Sequence, residues 1–263
     1  MSTPTNPLAD AIGEPNVLEA GRIDARIFIG TAGWSIPRAS AHRFAQVGTH
    51  LERYAGVLPS VEINSSFHRS HLGATYSKWA IATPPWFRFA VKVPRTVTHD
   101  GKLRASRSLL ERFLEETGRL GDKRGPLLVQ LPPSLALEPR VAHRFFALLR
   151  SLHAGMVVCE PRHPTWFSHK ADALLVRYAV ARAAADPPPA PGAAMPAGWP
   201  GLIYIRLHGS PRTYWSRYDA AYIAQLADRL KRTPASVDAW CVFDNTAAGA
   251  ALENAIELRA LLE

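Results

Sequence analysis

Residues suited to acid–base and anion chemistry recur at one kind of place in this chain, directly after a short apolar, β-prone run. Val157, Val158 and Cys159 lead into Glu160, Arg162, His163 and Trp166. Val61 and Ile63 enclose Glu62 and lead into Asn64 and Phe67. The run Phe87 to Val93 carries Lys92 and exits into Arg95 and His99. Leu127 to Val129 end at Gln130, and Ile203 to Ile205 end at Arg206 and His208. Ala239 to Phe243 end at Asp244 and Asn245, and Ile27 to Ile29 lead through glycines to Trp34. A buried strand that ends abruptly in charged residues puts polar chemistry at one end of a sheet.

The residue types suggest roles. Lys92, Arg162 and Arg206 are candidates to hold an anion, the arginines by bidentate contacts. Glu160 is the candidate general base or acid, with Glu62 as its partner and His99 or His208 as a proton carrier. Trp34, Asn64, Phe67, Arg95, Gln130, His163, Trp166, Asp244 and Asn245 would complete a substrate-binding mouth. Each residue also has a structural reading. The charges could form ion pairs, Asn245 could cap a helix, Gln130 could bond backbone, and the three aromatics could be core.

Those elements must be positioned by a fold, and the pattern between them supplies one. Helical spacing is expected over His42–Val57, with Phe44, Val47, Leu51, Tyr54 and Ala55 facing inward. Further helices are expected around Leu72–Ala80, Ser108–Leu120, Pro139–His153, Ala171–Arg177, Asp219–Arg232 and Ala247–Leu262, the last burying Leu252, Ile256 and Leu261. A weak, alanine-rich sixth strand spans Tyr178–Ala185. Pro187–Pro200 is too rich in proline and glycine for a regular helix, so a loop should replace the sixth helix. Eight strands alternating with helices predict a single TIM-type (β/α)8 barrel over residues 22–263, behind a tail at residues 1–21. Strand exits then converge on one face. The competing open doubly wound sheet lacks its Gly-x-Gly-x-x-Gly signature, since Gly30 is followed by Thr31, Ala32 and Gly33.

Composition sets the outer bounds. A chain of 263 residues is long enough for one barrel, and a hydrophobic content of 47% is that of a globular protein. No apolar run approaches the ~20 residues that cross a bilayer, and residues 1–18 lack a signal-peptide pattern. The expectation is a cytoplasmic protein without a membrane partner. Cys159 and Cys241 both fall in core strands, which argues for buried, reduced thiols. A net charge of +9 favours anionic partners, either a small anionic substrate or nucleic acid. The arginines are dispersed, so the same excess could equally be compositional. No oligomeric state follows from the pattern.

Other chemistries are weaker. His68, His99, His163, His208, Glu62, Glu160 and Asp244 include the ligand types of a divalent metal, but no His-Glu-x-x-His spacing links them and the nearby cations oppose a bare ion. No cofactor is assigned, with a divalent metal as the minor alternative. No phosphate-cradling Gly-rich loop and no Gly-x-Ser-x-Gly elbow occurs. A glycoside hydrolase using Glu62 and Glu160 is a third reading, after an acid–base enzyme and a non-catalytic nucleic-acid binder.

Taken together, the segments Gly30–Trp34, Val61–Phe67, Phe89–Arg95 with Thr98 and His99, Val129–Ser134, Glu160–Trp166, Tyr204–Gly209 and Phe243–Asn245 resemble the YecE-like family, the domain of unknown function 72. The resemblance runs from about Ile27 to the C-terminus and rests on the combination of motifs. It implies a TIM-type barrel with these residues at its mouth, and it brings no established reaction. A link to sugar isomerases is a fold-level analogy. The chain departs from the family's usual Asn-Asn at Asp244-Asn245, which adds a negative charge, and its Pro187–Pro200 stretch is longer than the pattern implies.

Overall fold

The computed structural model describes residues 27–263. The expected tail at 1–21 and the first residues of the expected barrel domain lie outside them. Ten strands form one sheet: β1 (Ile27–Ala32), β2 (Ser60–Ile63), β3 (Arg88–Lys92), β4 (Arg124–Gln130), β5 (Val157–Glu160), β6 (Val180–Arg182), β7 (Ala184–Asp186), β8 (Ala197–Gly198), β9 (Leu202–Leu207) and β10 (Asp238–Phe243). Eight helices accompany them among the described residues: α1 (His50–Ala55), α2 (Ser65–His68), α3 (Gly73–Ile81), α4 (Arg107–Gly118), α5 (Pro139–Leu152), α6 (His169–Arg177), α7 (Ala220–Lys231) and α8 (Ala250–Leu262).

The strand order is β7-β9-β10-β1-β2-β3-β4-β5-β6-β8, with every pairing parallel except β6 with β8. β6 and β7 are two halves of the sixth barrel strand. The first half pairs with β5 and the second with β9, so the break at Ala183 is where the barrel closes. The chain there stays tied to the sheet, because Ala183 N–H donates to Cys159 O. The expected eight-strand α/β barrel is therefore present. No helix lies between β7 and β9; the proline-rich segment instead supplies the short antiparallel β8.

Strand periodicity decides what fills the barrel. Ala90, Leu128, Val158, Ala181, Leu202, Tyr204, Trp240 and Val242 form one buried cluster, with Phe28 packed against it. Phe28 and Tyr204 both stack on Trp240, with ring centroids 4.8 and 6.1 Å away. The odd-numbered neighbours on most strands, such as Val61, Phe89, Val91 and Val129, face the helices in a second, larger cluster. Two glycines make room for this interior. A Cβ on Gly30 would lie 2.2 Å from Ser60 O, and one on Gly125 would lie 2.5 Å from the Trp240 ring.

Helix starts follow local chemistry. Thr49 and Glu52 form a capping box that begins α1, and Ser106, Ser168 and Asp219 cap α4, α6 and α7. The first helix is shorter than the periodicity of 42–57 suggests. Gly48 takes a φ of +105° just before the Thr49 cap, so Val47 lies outside the helix and is exposed. Leu261 is also exposed, near the C-terminal end of α8.

Two outcomes test this packing. Cys159 and Cys241 are fully buried, and burial pushes both thiols up. Neither should react with a thiol reagent in native buffer, and both should react in denaturant; rapid native labelling would contradict their place in the core. Gly125→Ala should cost about 1–3 kcal/mol by overpacking against Trp240, read as a lower midpoint in a urea titration.

Candidate functional site

Above the apolar floor, the next inward position on most strands is polar. Glu62, Lys92, Gln130, Glu160 and Arg206 sit at the C-terminal ends of β2, β3, β4, β5 and β9, with Asp244 directly after β10. The register sets Glu160 opposite Gln130, and Arg206 opposite Val242, two residues before Asp244. His208 continues the alternation beyond β9. Its backbone is held by a bond from its N–H to Asp186 O at 2.7 Å. Gly209 follows with a φ of +93°, and a Cβ there would lie 2.9 Å from Ser216 O, so the turn that fixes His208 requires glycine.

Arg206 is the centre. Its Nε donates to Glu62 Oε2 at 3.0 Å and its Nη2 to Glu62 Oε1 at 2.6 Å, a bidentate fork. Nη2 also donates to Asp244 Oδ2 at 2.9 Å, and Nη1 to Glu160 Oε2 at 2.7 Å. The Arg206 and Glu62 side chains have 0% exposure and Glu160 has 1%. Tyr204 OH donates to Glu62 Oε2 at 2.8 Å, and Gln130 Nε2 to Glu160 Oε2 at 3.1 Å. Burial alone would lower the pKa of Arg206, yet Glu160, Glu62 and Asp244 raise it well above its ordinary value. Burial likewise opposes ionisation of Glu160, and Arg206, His208 and Arg162 overcome it, holding that carboxyl well below its usual range.

His208 joins this network at both ring nitrogens. Nδ1 lies 3.1 Å from Asp244 Oδ2, and Nε2 lies 2.9 Å from Glu160 Oε1. Ionised carboxylate oxygens only accept, so both nitrogens must carry hydrogen, which makes the ring an imidazolium. Its pKa moves accordingly: burial would lower it, and Glu160 with the bonds to both carboxylates raises it. Arg162 Nη2 reaches Glu160 Oε1 at 3.3 Å and stays partly open, with 23% side-chain exposure. Three carboxylates thus face three cations, Arg206, Arg162 and His208.

Lys92 stands apart. It is 9% exposed, and among the described residues it makes no ion pair; its Nζ lies 4.3 Å from the Phe67 ring centroid. That ring is placed by α2, where Ser66 Oγ donates to Lys92 O at 2.7 Å and ties the helix to the end of β3. His99, on a single π-type turn at Thr96–Asp100, packs nearly perpendicular to Phe67, with ring centroids 4.8 Å apart. Burial, then Arg206, pushes Lys92 down to about 8 against the pull of the carboxylates. Burial, then Lys92 and Arg95, also lowers His99.

The remaining candidates lie elsewhere or serve the scaffold. Arg95 pairs with Asp100 at 3.1 Å on an exposed surface. Trp166 is buried, with its Nε1 donating to Leu135 O at 3.0 Å, so it is core rather than a substrate wall. His163 accepts from Thr165 N–H at 3.3 Å and caps a short turn. Trp34 packs edge-on to Trp79 at 5.0 Å. Asn245 Nδ2 donates to Ser216 O at 2.9 Å and Asn254 Oδ1 at 3.1 Å, fastening the loop after β9 to α8. Asn64 Oδ1 is buried without a partner among the described residues. The expectation that Arg206 holds a substrate anion fails, because its donors are spent on carboxylates and it has no surface. Glu62 and Glu160, the pair considered for a glycoside hydrolase, are both bonded to the same buried guanidinium. Tyr204 was not among the sequence candidates; its inward parity with Arg206 and His208 is the signal that could have found it.

No group of three or more metal-type side chains suited to an ion occurs among the described residues. The carboxylates that could have served are bonded to Arg206. No helix among those residues is long and apolar enough to cross a membrane.

Glu160→Gln removes charge from a carboxylate that meets Arg206, Arg162 and His208. The loss should be about 3–5 kcal/mol, the range for breaking a buried pair, measured by denaturant titration. The His208 contribution has a definite pH sign. Its folded pKa is raised, so its stabilisation is full below the unfolded value and disappears as pH rises through the folded one. The stability gap between wild type and His208→Gln should therefore shrink as pH rises; a gap that is constant or widens would contradict an imidazolium.

A family model described as "Protein of unknown function DUF72" matches residues 28–263. Two curated relatives, the UPF0759 protein YecE of Escherichia coli strain K12 and that of strain O157:H7, are each 30% identical over 145 residues, 54% of this chain and 50% of theirs. The chain matches about half the length of these relatives. A solved DUF72 family protein from Enterococcus faecalis V583 superposes with a TM-score of 0.77 at 20% identity, covering 90% of this chain and 95% of that one. Another from Thermotoga maritima MSB8 gives a TM-score of 0.72 at 20% identity, covering 90% and 98%. At that identity the likeness speaks for the fold. With the family model matching nearly the whole described chain, the protein belongs to the DUF72 family.

Proposed function

We propose that the chain is an acid–base enzyme that takes a small anionic substrate at the mouth of the barrel, with His208 as the proton carrier. The observation that carries this reading is the position of the His208 ring, held between Asp244 and Glu160 at 3.1 and 2.9 Å. It lies in a cleft of about 170 Å³ lined by Glu160, Arg162, His208, Thr213 and Pro187–Pro189. A histidine whose charged form is stabilised from its ordinary value carries a proton into the neutral range, where general acid catalysis is most useful.

The division of roles follows from access. Glu160 and Asp244 orient the imidazole and are positioning residues. Arg162 is the cation with surface to spare, and its Nη2 lies 3.4 Å from His208 Nε2, so an anion held there would touch the proton carrier. Lys92 adds positive potential to a network whose other charges cancel. Hydrolysis and isomerisation of phosphorylated or sugar-containing compounds both suit this arrangement.

Inorganic phosphate should raise the melting temperature of wild type by mass action and should do so much less in Arg162→Ala. Equal shifts in both would remove the anion site from this cleft. A screen of phosphate esters and sugars, with His208→Gln as the inactive control, tests turnover. Steeply salt-dependent binding to a generic oligonucleotide, with no turnover in that screen, would favour a nucleic-acid binder instead.

A further inference from the structure

The one charged side chain of the mouth network without an ion pair among the described residues is Lys92, and its burial gives it a larger share of free amine than an exposed lysine has. It ends β3 inside the barrel, where Glu62, Glu160 and Asp244 are all near enough to influence it. None is within ion-pair distance of it among the described residues, while Arg206, Arg162 and His208 bond to those carboxylates. The network is balanced without it, three carboxylates to three cations. A proton on Lys92 therefore leaves a surplus positive charge in a largely buried site, beside a guanidinium. What the side chain does touch is an aromatic face, the Phe67 ring at 4.3 Å, with His99 edge-on to the same ring.

Lys123 shows the contrast within the same chain. It too is partly buried, but its Nζ is engaged as a donor to Ala80 O at 2.6 Å and to the Thr83 hydroxyl at 3.2 Å. Among the described residues no such acceptor meets the Lys92 nitrogen, which sits at the end of the barrel where the strand exits converge.

We infer that Lys92 is a covalent nucleophile that forms a Schiff base with an aldehyde or ketone substrate, a role that rests on the barrel mouth being the active site proposed above. The lone pair of the neutral amine forms the C–N bond while the carbonyl π pair moves to oxygen, giving a carbinolamine. The C–O bond then breaks as the C=N bond forms. The oxygen leaves as water, carrying both hydrogens of the amine. One additional proton from the solvent or a neighbouring acid yields the iminium, which draws electrons from the adjacent carbon. Desolvation of a lysine in an apolar setting beside another cation is a known way of activating such an amine. With Lys92 pushed down to about 8, about a tenth of it is free base at pH 7, against less than a thousandth of an ordinary lysine. His208 and Arg162, across the mouth, would then serve the proton and the anionic group of the same carbonyl compound.

Reductive trapping tests this directly. The full chain is incubated with sodium cyanoborohydride and either dihydroxyacetone phosphate or neutral dihydroxyacetone, and adducts are mapped by peptide mass. Lys92 is one of six lysines in the chain, so the other five are internal controls. The expected result is an adduct on Lys92 forming at least about tenfold faster than on any other lysine, with a rate that rises with pH up to about 8 and then levels. Lys92→Arg keeps the charge and should abolish that adduct; Lys92→Met gives a second variant should the arginine misfold. Adducts confined to the other lysines, or the same pattern in both variants, would overturn the Schiff base. The two probes separate it from the broader reading. Faster trapping of the phosphate supports both. Equal rates support the Schiff base and remove the anionic substrate. Absence of a Lys92 adduct, with phosphate still protecting wild type but not Arg162→Ala, removes the Schiff base and leaves the anion site standing.

Discussion

One guanidinium organises the upper half of this barrel. Arg206 is completely buried and bonds Glu62, Glu160 and Asp244, which come from three other strands. A buried arginine with no partner would be prohibitively costly, so its presence at the end of β9 requires carboxylates at the ends of β2, β5 and β10. A planar fork with five donors can satisfy all three at once, which a lysine could not do. Tyr204, two residues earlier on the same strand, completes Glu62 from below. The polar layer then rests on the stacked rings of Phe28, Tyr204 and Trp240, where glycine at 30 and 125 lets strand and ring approach.

Such a layer is not how a barrel gains the most stability. Well-packed apolar side chains of the same volume would serve as well or better, while loss of any one partner is expensive. The arrangement therefore makes sense as a holder. It fixes Glu160 and Asp244 so that each presents an oxygen to His208, while the Lys92 nitrogen lies over the Phe67 ring. The same closure explains why Arg162 is the cation still open at the mouth: it meets Glu160 from the solvent side, after Arg206 has taken the inner oxygen.

Much of this was legible in the sequence, because strand periodicity and abrupt polar exits are local signals. The eight barrel strands, the missing sixth helix and the convergence of Glu62, Lys92, Glu160, Arg206, His208 and Asp244 all follow from them. Pairing was not legible. Several cations and several carboxylates at one mouth permit many matchings, and only the register and the fork of Arg206 choose among them. That is why Arg206 reads from sequence as an anion holder and in the fold as a keystone. Trp166 and Tyr204 erred in opposite directions for one reason. An aromatic next to charges looks like a site wall, and an aromatic inside an apolar strand looks like core, yet which way each points depends on the turn or strand parity that carries it. The α1 boundary turned on Gly48, whose left-handed backbone outweighed an apolar spacing that continued through Val47.

The proline-rich segment after the sixth strand belongs to the same logic. A helix following β7 would pack outside the barrel, as its counterparts do after the other strands. Proline has no N–H to donate and a fixed φ, so residues 187–189 can neither extend the strand nor begin a standard ladder. They stand instead as one wall of the cleft beside His208 and Arg162. The start of this wall is anchored where it matters. Asp186 O accepts from His208 N–H at 2.7 Å, and Tyr218 OH donates to Asp186 Oδ1 at 2.8 Å while accepting from Gly209 N–H at 2.9 Å. The loop that replaces a helix is thus bonded to the backbone of His208. Because prolines lose less conformational freedom on folding than other residues, a wall built from them holds its shape at a smaller entropic cost.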